Sequence, residues 1–123
     1  MAMKPEDLLI PPREGLYCPP GDFFIDPVRG ARRALITHGQ ADHARAGHGH
    51  VLATSETLDI MAIRYGADHA GATQAAGLGE AIRIKDLTVT FHPAGHVLGS
   101  AQIAVEMNGM RIVASGDYKP RPD

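Results

Sequence analysis

Asn108-Gly109 lies between two runs in which apolar residues alternate or cluster, Gln102 to Glu106 and Met110 to Ala114. That dipeptide readily adopts the two left-handed backbone conformations of a tight hairpin turn, so it commits the end of the chain to antiparallel pairing. Just upstream, Ala81 to Ile84 and Leu87 to Phe91 also read as strands, and Lys85-Asp86 suits the tight turn between them. The first half carries shorter apolar runs. Leu16 to Cys18 is stopped by Pro19-Pro20-Gly21, and Phe23 to Ile25 ends at Asp26-Pro27. Ala34 to Thr37 and Val51 to Ala53 follow, with Arg29 to Arg33 as a basic connector. Residues 1–14 hold three prolines and little periodicity, and read as an arm or loop.

One helix stands out. Thr54 and Ser55 are good N-cap residues, Glu56 and Asp59 lie near the positive end, and Gly66 is a stop. Leu58, Met61, Ile63 and Tyr65 are expected to supply its apolar contacts. Residues 67–79 are rich in Ala and Gly and are expected to form a loop with a weak helical turn. The expectation is an α+β fold, mostly strand with one clear helix, forming a single domain over residues 1–123.

Composition narrows the function classes. The chain has 12 Lys plus Arg, 14 Asp plus Glu and a net charge of −2, so no strong general affinity for nucleic acid is expected, only a local basic strip. Arg29, Arg32, Arg33 and Arg45 could form such a strip or a solvated loop. No apolar stretch is long enough to span a membrane, and Met1 to Asp7 carry no apolar signal region, so the expected location is the cytoplasm. Cys18 is the only cysteine, which excludes an internal disulfide and a Cys-rich zinc cluster. It reads as a small buried apolar residue. With no Trp and 5% aromatics, the core must be aliphatic.

The seven histidines are not evenly spread. His38, Gln40, Asp42 and His43 sit just past one short strand, His96 just past another, and Asp117 just past a third. Asp26 ends a fourth. Strand ends are rigid anchors, and the loops beyond them carry function. Imidazole and carboxylate together suit zinc and similar divalent ions. His48 and His50 read as hydrogen-bonded loop histidines, with His50 a stand-in ligand should Gln40 fail. His69 and His92 read as structural or solvent-facing.

These residues resemble a known family. Ile36-Thr37-His38-Gly39-Gln40-Ala41-Asp42-His43 is similar to the HxHxDH signature of the metallo-β-lactamase superfamily. The stretches from Phe91 to Gln102 and from Ser115 to Lys119 resemble its third and fourth motifs, in wording nearest to the β-CASP nucleases. Within that branch the bacterial exonucleases encoded beside a DNA ligase match best, through Phe24 to Pro27, Ala53-Thr54 and Ser115 to Lys119.

The resemblance implies the N-terminal half of an αββα sandwich, with the C-terminal half and the β-CASP insertion absent. It implies two divalent ions, zinc with manganese as the alternative. His38 and His96 would ligate the first ion, Asp42 and His43 the second, and Asp117 would bridge. Asp42 and Asp117 would be catalytic. Gln40 replaces the family's second histidine and would be a weak ligand. Asp26 would orient neighbouring ligands from behind. The implied activity is phosphodiester hydrolysis on nucleic acid, DNA more than RNA. An uncovered sheet face would favour self-association. Two other readings stay open: a non-catalytic metal-binding or assembly module, motivated by Gln40, and a hydrolase of the same fold acting on another substrate.

Overall fold

The structure is a computed structural model, and it describes residues 9, 16–28, 30–38, 46–94, 101–114 and 121–122. The described strands form two five-stranded sheets. The first contains β1 (Leu16–Cys18), β2 (Phe23–Ile25), β3 (Arg33–Leu35), β4 (His48–Ala53) and β5 (Ala70–Ala75), in that spatial order. β1 pairs antiparallel with β2, and β2 through β5 run parallel. The second contains β6 (Ala81–Ile84), β7 (Leu87–Pro93), β8 (Ala101–Met107), β9 (Met110–Ala114) and β10 (Arg121–Pro122), in one antiparallel ladder from β6 to β10. Helix α1 (Ser55–Tyr65) links β4 to β5.

Alternation along the strands sorts the side chains into two cores. Leu16, Phe23, Ile25, Leu35 and Leu52 of the first sheet meet Leu87, Val89, Phe91, Ile103, Val105 and Ile112 of the second. Ala34, Ile36, Val51 and Ala53 face the other way and pack with Met61 of α1. The result is a helix on a sheet on a sheet. Burying the large aliphatic side chains contributes on the order of 1.5–3 kcal/mol each, which is what holds layers containing so few aromatics.

Local chemistry accounts for the elements. The Asn108-Gly109 turn has φ of 52° and 78°, as its hairpin requires. Lys85 takes φ 53° in the β6–β7 turn. Thr54 caps α1 by accepting a hydrogen bond from the Thr57 N–H at 3.3 Å, and Gly66 ends it at φ 97°. The four strand runs of the second half stand as expected, with β7 and β8 each extended at their ends.

Three expectations are corrected. Residues 67–79 are not simply a loop, because Ala70–Ala75 forms β5. Its side chains are almost all exposed, so no apolar period announced it; backbone bonds to β4 hold it in place. Ile63 is not a core contact of α1, being 87% exposed. His48 and His50 belong to β4, not to a loop, and Arg33 belongs to β3. The outer face of the second sheet mixes polar residues, Thr88, His92, Gln102, Glu106 and Arg111, with a central row of Thr90, Ala104 and Val113, of which Thr90 and Ala104 are buried. Arg111 bonds to Glu106 at 3.6 Å and to His92 Nε2 at 3.2 Å.

The parallel strands come close at two glycines. A Cβ on Gly49 would lie 2.7 Å from the Arg32 carbonyl oxygen, and one on Gly71 would lie 2.6 Å from the Gly49 carbonyl oxygen. Both neighbours are backbone and cannot swing away. Gly49→Ala is expected to lower stability by about 1–3 kcal/mol, the usual cost of overpacking, as read from urea unfolding.

Candidate metal centre

The strand ends named by the sequence converge on one edge. Pro93, ending β7, pairs with Ala101, starting β8, and Ile103 pairs with Ala114, ending β9. The Ala101 N–H donates to the Thr37 carbonyl at 2.7 Å, which ties this corner of the second sheet to the end of β3. Ile25, ending β2, pairs with Leu35, ending β3, and the Asp26 N–H donates to the Leu35 carbonyl at 2.9 Å. The carboxyl ends of β2, β3, β7 and β9 thus share one edge of the sandwich.

Asp26 is fully buried at this edge, with φ 50°. Aspartate tolerates that left-handed conformation better than most residues. Its carboxylate takes the Thr37 N–H at 2.8 Å and the Thr37 hydroxyl at 2.6 Å. Thr37 is itself fully buried. Three bonds therefore hold it: two that it donates to the Asp26 carboxylate and one that its carbonyl accepts from the Ala101 N–H. The next residue, His38, is half-buried and leaves from this fixed point. Gln40, Asp42, His43, His96 and Asp117 lie outside the described residues. Among the described residues no group of three or more His, Cys, Asp or Glu is placed to hold a metal ion.

Thr37 is the residue that sequence reading passed over. Its signal was present: a threonine between a buried strand and the first motif histidine, with Asp26 ending the neighbouring strand. Cys18 is buried as expected, and burial pushes its thiol up to about 11, so it stays protonated and inert.

His48 and His69 proved more structural than surface-facing. Both are buried, and His48 Nδ1 accepts the Ala31 N–H at 3.0 Å. Among the described residues, His48 Nε2 and His69 Nδ1 have no hydrogen-bond partner. Burial lowers the His48 pKa below the ordinary histidine value, and the neighbouring His69 lowers it further. The unfolded chain therefore takes up that proton first as the pH falls. Stability is expected to be full above about pH 6.5 and to be lost as the pH drops from there towards the folded value. Urea midpoints measured across this range check the slope, which should flatten in His48→Gln.

Comparison with known proteins agrees with this layout. The chain is 32% identical over 108 residues to a "Probable DNA ligase" of Opitutus terrae, covering 87% of this chain and 10% of that protein. It is 42% identical over 40 residues to the endoribonuclease ysh-1 of Neurospora crassa, covering 32% of this chain and 5% of that protein. The chain thus spans a small part of the curated relatives it matches. Among solved structures, zinc-bound PqqB of Methylobacterium extorquens superposes with a TM-score of 0.51 at 19% identity, over 68% of this chain and 38% of that one. No protein-family profile matches the chain. Fold and relatives together make this a metallo-β-lactamase-fold chain. The named relatives and this neighbour together point to the metallo-β-lactamase/β-CASP family.

Proposed function

We propose that the chain supplies the metal-binding half of a phosphodiester hydrolase that trims DNA in the manner of an exonuclease, acting in the cytoplasm. It does so as one partial domain, residues 1–123, of the larger family fold. The observation that carries this reading is the Thr37 junction. Asp26, Thr37 and Ala101 bring together the strand ends beyond which His38, Asp42, His43, His96 and Asp117 follow in sequence.

The donor chemistry of these residues, imidazoles and carboxylates, fits zinc or manganese. His38 and His96 would hold one ion, Asp42 and His43 the other, and Asp117 would lie between them. Such ions, when bound, supply positive charge to phosphoryl oxygens during an in-line displacement. The chain's own part is positional. Asp26 takes both polar hydrogens of Thr37, Thr37 fixes the backbone before His38, and the ligand is thereby aimed with little freedom to lose on binding. Gln40 offers an amide oxygen where the family pattern has imidazole, which favours a second reading, a metal-binding module without turnover.

The test is metal content after dialysis, followed by digestion of end-labelled DNA. Retained metal with chelator-sensitive release of nucleotides supports the hydrolase. Retained metal with intact DNA supports the module, and no retained metal contradicts both.

A further inference from the structure

We propose that a second site, a basic cleft at the far end of β3 from the metal edge, binds the phosphodiester backbone of a single-stranded nucleic acid. The choice of nucleic acid as the occupant rests on the proposed function; the cleft itself does not. In the sandwich interior, Leu35 of β3 and Leu52 of β4 are core residues. Two residues back on the same faces, where the interior would call for apolar side chains, stand Arg33 and His50, which are register partners. The sheets do not close over them. They open into a cleft of about 370 Å³ that also takes in Gln74 of β5 and Arg83 and Lys85 at the end of β6.

The charge there is one-sided. Arg33, Arg83 and Lys85 are cations, His50 adds an imidazole, and among the described residues no carboxylate lines the cleft. Arg32 borders its outer mouth but is paired with Asp22. The chain as a whole is net negative, so this concentration of cations is local. Leu35, Leu52, Ile82 and Ile84 give the cleft an apolar floor. Cations at the rim over an apolar floor match a ligand with phosphates on one side and sugar and base on the other. Arg83 is steadied by donating its Nε–H to the Lys85 carbonyl at 3.2 Å. Four residue steps of extended chain carry Arg33 to Thr37, about 13 Å, so binding here is separable from chemistry at the metal edge.

Fluorescence anisotropy with a labelled short oligothymidylate, in chelator and low salt, tests this on the chain as it stands. Wild type is expected to bind. The double variant Arg83→Glu/Lys85→Glu, both exposed, one near the end of β6 and one in the turn that follows, is expected to bind roughly tenfold more weakly or worse. Its dependence of log K on log salt should be shallower by about 1.4, two contacts at about 0.7 each. Circular dichroism melts check that the variant is folded, and Arg33→Gln gives a second, charge-neutralising variant that should also weaken binding. No binding by wild type in chelator, or equal binding by the folded variants, overturns the site. A glutamate-rich peptide that competes as well as the oligonucleotide overturns the phosphate assignment. Binding in chelator without cleavage in zinc supports the cleft while contradicting the hydrolase; cleavage with unchanged binding by the variants does the reverse.

Discussion

Asp26→Ala is expected to cost the fold about 3 kcal/mol and to loosen metal binding at the edge it supports. The carboxylate is fully buried and accepts two bonds from Thr37, at 2.8 and 2.6 Å. Truncation leaves a buried N–H and a buried hydroxyl without that acceptor, and each such loss costs about 1–3 kcal/mol. Alanine is also poorly suited to the left-handed backbone at this position, where φ is 50°. Asp26→Asn separates the contributions. Asparagine accepts the left-handed backbone and can still take the Thr37 N–H, and the hydroxyl can turn to accept from the amide. It should lose about 1 kcal/mol, the net worth of an ordinary hydrogen bond. Urea unfolding at neutral pH reads both values. Zinc affinity, measured without denaturant where both variants are folded, should fall by about 10–100-fold for alanine, the range found when a supporting partner of a metal ligand is removed. Equal stability of wild type and Asp26→Ala would show that the Thr37 junction does not hold this edge.

The second large effect runs the other way. Gln40→His is expected to raise zinc affinity by at least the roughly 10–100-fold that supporting residues alone carry. An amide oxygen is a weak donor to zinc, whereas imidazole nitrogen is among its preferred ligands. Competition against a chromophoric chelator measures the change. A gain in affinity accompanied by new nuclease activity would mean that Gln40 limits a working site. A gain in affinity with DNA left intact would favour the metal-binding module, and unchanged affinity would place position 40 outside the metal's reach.

The second half of the fold was legible because its signals are local. The Asn108-Gly109 turn, the Lys85-Asp86 turn and the alternation of Leu87 to Phe91 each specify a strand or its register without help from distant residues. β5 was not legible because Ala70–Ala75 buries almost nothing. It is a strand only because β4 offers it a ladder of backbone bonds and because Gly49 and Gly71 let the chains approach. Ile63 is apolar by type but lies two residues from both Met61 and Tyr65, which puts it on the helix face turned away from the sheet, and it is exposed.

At the site, the motif residues themselves stood out by type and spacing. Their support did not. That Asp26 sits behind the edge came only from family resemblance, and the part played by Thr37 came from neither spacing nor composition, because its partners Asp26 and Ala101 are remote in sequence. The cleft at the far end was half legible. Arg32 and Arg33 were candidates for a basic strip, but Arg83, Lys85 and His50 join Arg33 only once the two sheets face each other.

The most direct measurement is anomalous diffraction at the zinc edge from crystals of the chain grown with zinc. The expected map has a peak beyond the end of β3, about 2.0–2.2 Å from a His38 nitrogen and from carboxylate oxygen of Asp117, with His43 and His96 turned towards the same pocket. A map in which His43 points away from His96 and Asp117, with no peak among them, contradicts the proposed centre.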